Sequence, residues 1–207
     1  MHKKSNKLLI FTKSPILGEV KTRLQPEYSP EQSLQLHKIL MKKTLSLTKK
    51  LDDFDIELCC APNRNTLFFL ECESDFPVQL SNQEGADLGE RMAYSLSLAL
   101  KTHEKVVIIG TDCPDIDESY LEQAFAALDN VDTVIGPAAD GGYVLLGLKQ
   151  FSSELFTDCM WGSNTVLSQT CKVLNKLSWS YQELDIMHDI DRPEDLLRHP
   201  DLVDKIS

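Results

Sequence analysis

An α/β fold with a mostly parallel central sheet is predicted by three observations. Short apolar runs alternate with amphipathic stretches along the chain, the pattern of βαβ units. The run Val106-Val107-Ile108-Ile109 is apolar without a break, as a strand covered on both faces must be. The segments that follow the apolar runs are rich in Gly, Pro, Asp or basic residues, as loops that carry a ligand site are.

Residues 7–12 read as the first strand, and residues 13–28 as a polar loop carrying Pro15, Gly18 and Pro26. A long helix starts next: Ser29 can be its N-cap, Pro30 its first residue, and Gln32 completes a capping box. Leu34, Ile39, Met41 and Leu45 give it one apolar face. Residues 55–61 and 77–81 read as the second and third strands. Asp87-Leu88-Gly89-Glu90 is spaced as another capping box, opening a helix that buries Leu88, Met92, Leu96 and Ala99. After the apolar run come a helix over 117–128, strands over 131–136 and 143–148, a helix near 163–177, a strand near 179–184 and a short last helix. No repeat, low-complexity tract or linker interrupts the pattern, which predicts a single domain over residues 1–207.

Composition narrows the function. The formal net charge is −11 and no sizeable basic run follows the amino-terminal lysines, so the chain is expected to bind no nucleic acid. The basic start Met1-His2-Lys3-Lys4-Ser5-Asn6-Lys7 is followed by an apolar run, Leu8 to Phe11, too short for an export segment. No segment approaches the roughly 18 apolar residues of a membrane span, and the expected location is cytoplasmic. Six cysteines lack C-x-x-C spacing and read as reduced, mostly buried residues rather than thiolate metal ligands.

Ligands of open parallel sheets bind outside the carboxyl ends of the strands, where strand order reverses. Asp112 directly follows the buried apolar strand, and Pro114 keeps that strand from continuing. A carboxylate held there suits Mg²⁺ or Mn²⁺, hard cations that take oxygen ligands; a turn or helix cap is the structural alternative. In His188-Asp189-Ile190-Asp191, an extended chain points Asp189 and Asp191 to one side and Ile190 to the core. Asp191 with Glu194 can equally be a capping box for the helix after Pro193. The loop Lys13-Ser14-Pro15-Ile16-Leu17-Gly18-Glu19-Val20-Lys21-Thr22-Arg23-Leu24 brings positive charge but is no Walker loop. Gly18 permits close backbone approach, and Lys21 and Arg23 suit phosphates or plain solvent exposure. Asp140-Gly141-Gly142-Tyr143 fits a tight hairpin turn, a sugar contact, or both. Trp161 fits either a ligand stack or a core cap. His37 and His103 lack ligand spacing and read as structural or solvent-facing.

Five segments in this order resemble the nucleotide-diphospho-sugar transferase superfamily with the GT-A type, Rossmann-like three-layer α/β/α fold. They are Lys13-Ser14-Pro15…Gly18…Val20-Lys21-Thr22-Arg23-Leu24, Gln83…Gly85-Ala86-Asp87-Leu88-Gly89-Glu90-Arg91-Met92, Gly110-Thr111-Asp112-Cys113-Pro114, Asp140-Gly141-Gly142-Tyr143 and Asp189-Ile190-Asp191-Arg192-Pro193-Glu194-Asp195. Within it the chain is most similar to bacterial glycosyltransferases of arsenosugar biosynthesis, and it is also similar to guanylyltransferases of small phosphorylated substrates. The resemblance implies that Lys13, Gly18, Lys21 and Arg23 meet phosphates and that Gln83, Gly85 and Asp87 approach the base. It implies a metal on Asp112, Asp189 and Asp191. Gly141, Gly142, Tyr143 and Trp161 would face sugar or acceptor, with Asp140 the candidate base.

Metal-dependent glycosyl transfer from a nucleotide sugar to a small-molecule acceptor is the first expectation, because the Gly-rich, Arg-containing loop of sugar-phosphate nucleotidyltransferases is absent. Nucleotidyl transfer from a nucleoside triphosphate to a small phosphorylated substrate is the second. A non-catalytic nucleotide-sugar sensor is the third. Oligomeric state leaves no signature in the sequence.

Overall fold

The computed structural model describes residues 4–51 and 54–206; Met1, His2 and Lys3 of the basic start lie outside the described residues. Among them, seven strands form one sheet in the order β3-β2-β1-β4-β6-β5-β7. The strands are β1 (Lys4–Lys13), β2 (Phe54–Ala61), β3 (Gln79–Asn82), β4 (His103–Ile109), β5 (Thr133–Pro137), β6 (Tyr143–Leu148) and β7 (Tyr181–Glu183). Only β6 runs antiparallel to its neighbours, β4 and β5, so the sheet is mostly parallel. The helices are α1 (Pro30–Leu47), α2 (Leu67–Asp75), α3 (Leu88–Ala99), α4 (Glu118–Ala127), α5 (Val166–Lys176) and α6 (Pro200–Ile206).

Period-two alternation sorts the central strands between two cores. Leu8 and Ile10 of β1 and Val107 and Ile109 of β4 face Met41 and Leu45 of α1, Phe69 of α2 and Leu121 of α4. Leu9, Phe11, Val106 and Ile108 point the other way, toward Met92 and Leu96 of α3 and Leu174 of α5. Helices thus cover both faces, giving three layers. The order also locates a reversal: β1, β2 and β3 step outward to one side, and after α3 the chain returns to lay β4 on the other side of β1. Diverging loops leave a crevice at such a point.

Helix starts follow their local chemistry. The Ser29 hydroxyl accepts from Gln32 N at 3.2 Å while Gln32 Oε1 accepts from Ser29 N at 2.8 Å, the reciprocal box the sequence predicts. The Asp87 box is only half formed: Asp87 Oδ1 accepts from Glu90 N at 2.8 Å, but Glu90 turns to Ala86 N, also at 2.8 Å. Two predicted faces are corrected. Helix α1 buries Ser33, Leu36, His37, Leu40, Met41, Thr44 and Leu45, leaving Leu34 and Ile39 only half-buried at its flank. Leu88, predicted in the core, is 47 % exposed.

Helix α2 is the element the sequence reading lacks. Its apolar residues are not periodic, since Phe69 and Cys72 are buried while Leu67 and Leu70 are exposed. Parallel β2 and β3 nevertheless require a crossover of this length. The predicted closing helix is two pieces, a 3-10 turn over Pro193–Arg198 and then α6. Its predicted Asp191–Glu194 box does not form, because Asp195 caps the turn, its Oδ2 accepting from Arg192 N at 2.7 Å and Asp191 N at 2.9 Å. That choice leaves the Asp191 carboxylate available elsewhere.

Among the described residues, no helix is long and apolar enough to cross a membrane. The six cysteines are free and four are buried. Burial pushes the Cys59 thiol up to about 12 and those of Cys72 and Cys113 up to about 11, keeping them protonated near neutral pH.

Candidate active site

The loops after β1, β4 and β5 and the extended segment after β7 meet over the β1–β4 reversal, around a cleft of about 640 Å³. That volume suits a small molecule or nucleotide. Thr12 at the end of β1 and Thr111 just past β4 hold the two strand ends together, their hydroxyl oxygens 3.3 Å apart. The Asp112 carbonyl accepts from Ile190 N at 2.9 Å, which brings the 188–191 segment onto the same floor. Ile190 is 1 % exposed and packs with Leu24 and Leu36. Asp189 and Asp191 on either side both line the cleft, as the predicted alternation requires.

Lys21 links these parts. It adopts φ 50° in the left-handed region, uncommon for a residue with a Cβ, and its side chain is only 4 % exposed. The ammonium lies 2.8 Å from Asp112 Oδ1 and 3.5 Å from Asp191 Oδ1, and it also donates to the Ile190 carbonyl. Arg23, mostly exposed, pairs with the second Asp191 oxygen at 3.0 Å. Two cations from one loop therefore serve two carboxylates distant from them in sequence.

The electrostatics of this floor are uneven. Burial works against ionisation of Asp112, but the neighbouring Lys21 ammonium outweighs it and holds the carboxyl below its ordinary range. Asp189 goes the other way: burial, then the negative charges of Asp191 and Asp140, push it up to about 6. His37 projects from α1 into the cleft wall, and its Nε2 donates to the Lys13 carbonyl at 2.9 Å. Burial lowers its pKa, so it is neutral near pH 7.

Of the residues singled out in the sequence, Lys13, Lys21, Arg23, Gln83, Asp112, Asp140, Gly142, Tyr143, Trp161, Asp189 and Asp191 line this one cleft. Gly18, Gly85, Asp87 and Gly141 do not line it. Each has local work: Gly18 turns with φ 79°, Asp87 caps α3, and at Gly85 a Cβ would come within 2.7 Å of Arg91 N. At Gly141 a Cβ would stand 2.2 Å from the Asn164 carbonyl oxygen. The Gln83 amide nitrogen donates to the Thr12 and Cys59 carbonyls at 3.0 and 2.8 Å, fixing the ends of β1 and β2. Asp140 Oδ1 accepts from Gly142 N at 2.8 Å, inside the tight turn predicted between β5 and β6. Trp161 lies over Gly89, where a Cβ would be 2.2 Å from its indole nitrogen, and stacks on Phe156 at 6.4 Å. Sequence reasoning missed Leu88, Met92 and His37 as cleft residues. Only the position of Leu88 directly after the cap Asp87 hinted at it.

The donor set at the floor is oxygen-rich and suits a hard divalent cation, whose charge would relieve the repulsion felt by Asp189. Among the described residues no three acidic, His or Cys side chains close into a metal cage. Mg²⁺ commonly takes only one or two carboxylates and completes its shell with substrate phosphates and water, and these residues fit that mode.

Fold and cleft define a protein of the nucleotide-diphospho-sugar transferase superfamily. A structure from Desulfovibrio desulfuricans G20, provisionally described as a nucleotide-diphospho-sugar transferase, is similar over 97 % of this chain and 88 % of its own, with TM-score 0.85 and 27 % identity. The chain belongs to the family described as "Uncharacterized protein conserved in bacteria (DUF2064)", which matches residues 44–163. It is 28 % identical over 189 residues to the 2-phospho-L-lactate guanylyltransferase of Methanocaldococcus jannaschii, covering 91 % of this chain and 80 % of the relative. The Rv0371C structure from Mycobacterium tuberculosis H37Rv, a complex with manganese, shares the fold at TM-score 0.52 and 13 % identity over 95 % of this chain and 98 % of its own.

Proposed function

We propose that this chain is a metal-dependent nucleotidyltransferase joining a nucleoside monophosphate to a small phosphorylated substrate. A phosphate oxygen of that substrate attacks the α-phosphorus of a nucleoside triphosphate. The bond from the α-phosphorus to the oxygen bridging to the β-phosphorus breaks, and pyrophosphate leaves.

The observation that carries this reading is the charge layout of the cleft, with Lys13, Lys21 and Arg23 beside Asp112, Asp189 and Asp191 in a chain of net charge −11. Cations are concentrated where phosphates need them, in a protein whose general field repels anions. We assign Lys13, Lys21 and Arg23 to the phosphates and Gln83, where its turn reaches the cleft, to the base, with Gly85 and Asp87 shaping that turn. Gly142, Tyr143 and Trp161 are assigned to the acceptor, with Gly18 and Gly141 shaping the loops. Asp112, Asp189 and Asp191 would hold Mg²⁺ or Mn²⁺, which when bound neutralises charge developing on the leaving pyrophosphate.

Glycosyl transfer, the first expectation from sequence, now ranks second. One missing Gly-rich loop weighs less than 28 % identity to a guanylyltransferase over 91 % of this chain. Chemistry supports the same order. A phosphate acceptor loses its second proton near pH 6, so it needs no base near neutrality, whereas a hydroxyl acceptor does. Asp140, the base candidate, is engaged with Gly142 N at 2.8 Å. Glycosyl transfer keeps a place through the likeness, 27 % identical, to the Desulfovibrio desulfuricans structure.

The test is a pyrophosphate assay with GTP, CTP, UTP or ATP, Mg²⁺ or Mn²⁺, and small phosphorylated acids including 2-phospho-L-lactate. The expected result is pyrophosphate from one triphosphate, dependent on both metal and acceptor. Release of a nucleoside diphosphate from a nucleotide sugar, with no pyrophosphate from any triphosphate, would replace this reading with glycosyl transfer.

A further inference from the structure

Two demands meet at Asp191. Its carboxylate is one of the three assigned to the metal, yet both of its oxygens already face cations. Oδ1 lies 3.5 Å from the Lys21 ammonium, and Oδ2 accepts from Arg23 Nη1 at 3.0 Å. A divalent ion and a nearby side-chain cation compete for such a carboxylate, because the like charges repel. Metal uptake by Asp191 is therefore opposed by whichever of the two cations stays.

The two are held with unequal firmness. The Lys21 side chain is 4 % exposed, leaves a left-handed backbone, and also contacts Asp112 Oδ1 at 2.8 Å and the Ile190 carbonyl. Arg23 is 59 % exposed and reaches Asp191 through a single hydrogen bond. An exposed ion pair of that kind contributes little to stability. The guanidinium fork also matches a phosphate, which it can take by two parallel bonds.

The backbone beneath the pair is fixed. Leu24, next to Arg23, and Ile190, next to Asp191, are buried in the same apolar cluster. Arg23 can therefore leave Asp191 by rotation of its side chain alone, while Lys21 keeps its place.

We infer that Arg23 is an exchanging arm, which covers Asp191 until metal is taken up and then turns to the phosphates of the nucleotide. The inference rests on the metal and phosphate assignments proposed above and adds a coupling between them. Arg23 opposes the metal alone and favours the metal together with phosphate. Lys13 supplies the comparison: it lines the same cleft and its charge reaches Asp112, but Asp191 pairs with Lys21 and Arg23 instead.

The experiment measures Mn²⁺ binding to the full chain by electron paramagnetic resonance, and binding of the Mn²⁺–pyrophosphate complex by calorimetry. Parent, Arg23→Gln and Lys13→Gln are compared. Both side chains are exposed, so both variants should fold, as circular dichroism checks. Arg23→Gln should bind Mn²⁺ at least about 3-fold tighter than the parent, the scale of an exposed ion pair that no longer competes. It should bind the pyrophosphate complex more weakly. Lys13→Gln should also weaken the complex, but without tightening Mn²⁺. Unchanged or weaker Mn²⁺ binding in Arg23→Gln overturns the inference and leaves Asp191 to its side-chain cations. Equal tightening in the two variants overturns it as well, because any lost positive charge would then suffice. So does undiminished binding of the complex by Arg23→Gln, since the arm would not reach phosphate. Mn²⁺ bound by none of the three proteins removes the metal assignment itself, and the inference falls with it. No outcome depends on turnover, so the choice between nucleotidyl and glycosyl transfer is tested separately.

Discussion

The two ends of the central strands treat charge differently. At the amino ends, Lys7 pairs with Glu57 at 2.5 Å and Lys105 with Asp129 at 2.5 Å, while His103 Nε2 lies in hydrogen-bond reach of Asp55 Oδ2 at 2.9 Å. At the carboxyl ends, Lys21 and Arg23 share Asp112 and Asp191, and Asp189 is pushed up to about 6 by burial and its acidic neighbours. Matched pairs hold a fold together. An unmatched cluster is stable only at a cost, and the cost is recovered when a ligand of opposite charge arrives. The difference teaches where to look for function when no ligand is present.

The strongest way to break that contrast is at Asp112. Asp112→Ala should retain the fold and reduce turnover by roughly 10²–10³ or more, the scale of losing one preorganised electrostatic partner. Circular dichroism with steady-state pyrophosphate release checks both halves, and unchanged turnover in a folded variant would remove Asp112 from the chemistry. At the opposite end, His103→Ala should do the reverse. It should cost about 0.5–3 kcal/mol of stability, as truncation of a buried side chain does, while turnover per folded molecule stays constant. Urea denaturation with active-site titration separates the two.

Asp189 sharpens the contrast through pH. Its folded pKa of about 6 lies above the ordinary 3.8, so the folded state holds this proton more tightly than the unfolded chain. Stability is then lost as pH rises from about 4 through 6, where the unfolded chain has already ionised. Asp189→Asn should therefore melt higher than the parent by about 6–12 °C at pH 8, and the difference should vanish below about pH 4. A constant difference across that range would show that the shift does not come from this proton. The smallest effect is expected at Ser29, which does not line the cleft. Ser29→Ala removes half of the capping box and should cost about 0.5–1 kcal/mol, measurable as a denaturant midpoint with no change in turnover.

Local chemistry in the sequence was enough to place most of these parts. The Ser29–Gln32 box, the unbroken apolar run of β4 and the turn at Asp140 each depend on a few neighbouring residues. Helix α2 was invisible because its apolar residues lack a helical period, and only the parallel pairing of β2 with β3 demands it. Leu88 was placed in the core because its spacing matches Met92 and Leu96, yet the first turn of α3 projects past the sheet into the cleft. Asp195 displaced Glu194 as the cap through backbone geometry that spacing does not encode. The site was legible as a set of residues but not as an arrangement. Lys21 meets Asp112 and Asp191 only because β1 lies beside β4 and the 188–191 segment returns to that junction.

Calorimetric titration of the four nucleoside triphosphates, with and without Mn²⁺, into the parent chain and Asp112→Ala tests the central claim most directly. The unmatched carboxylates should make binding of one triphosphate depend on the metal in the parent and abolish that dependence in the variant. Binding that is equally tight without metal, or no binding of any triphosphate with it, would contradict a nucleotide site built on Asp112, Asp189 and Asp191.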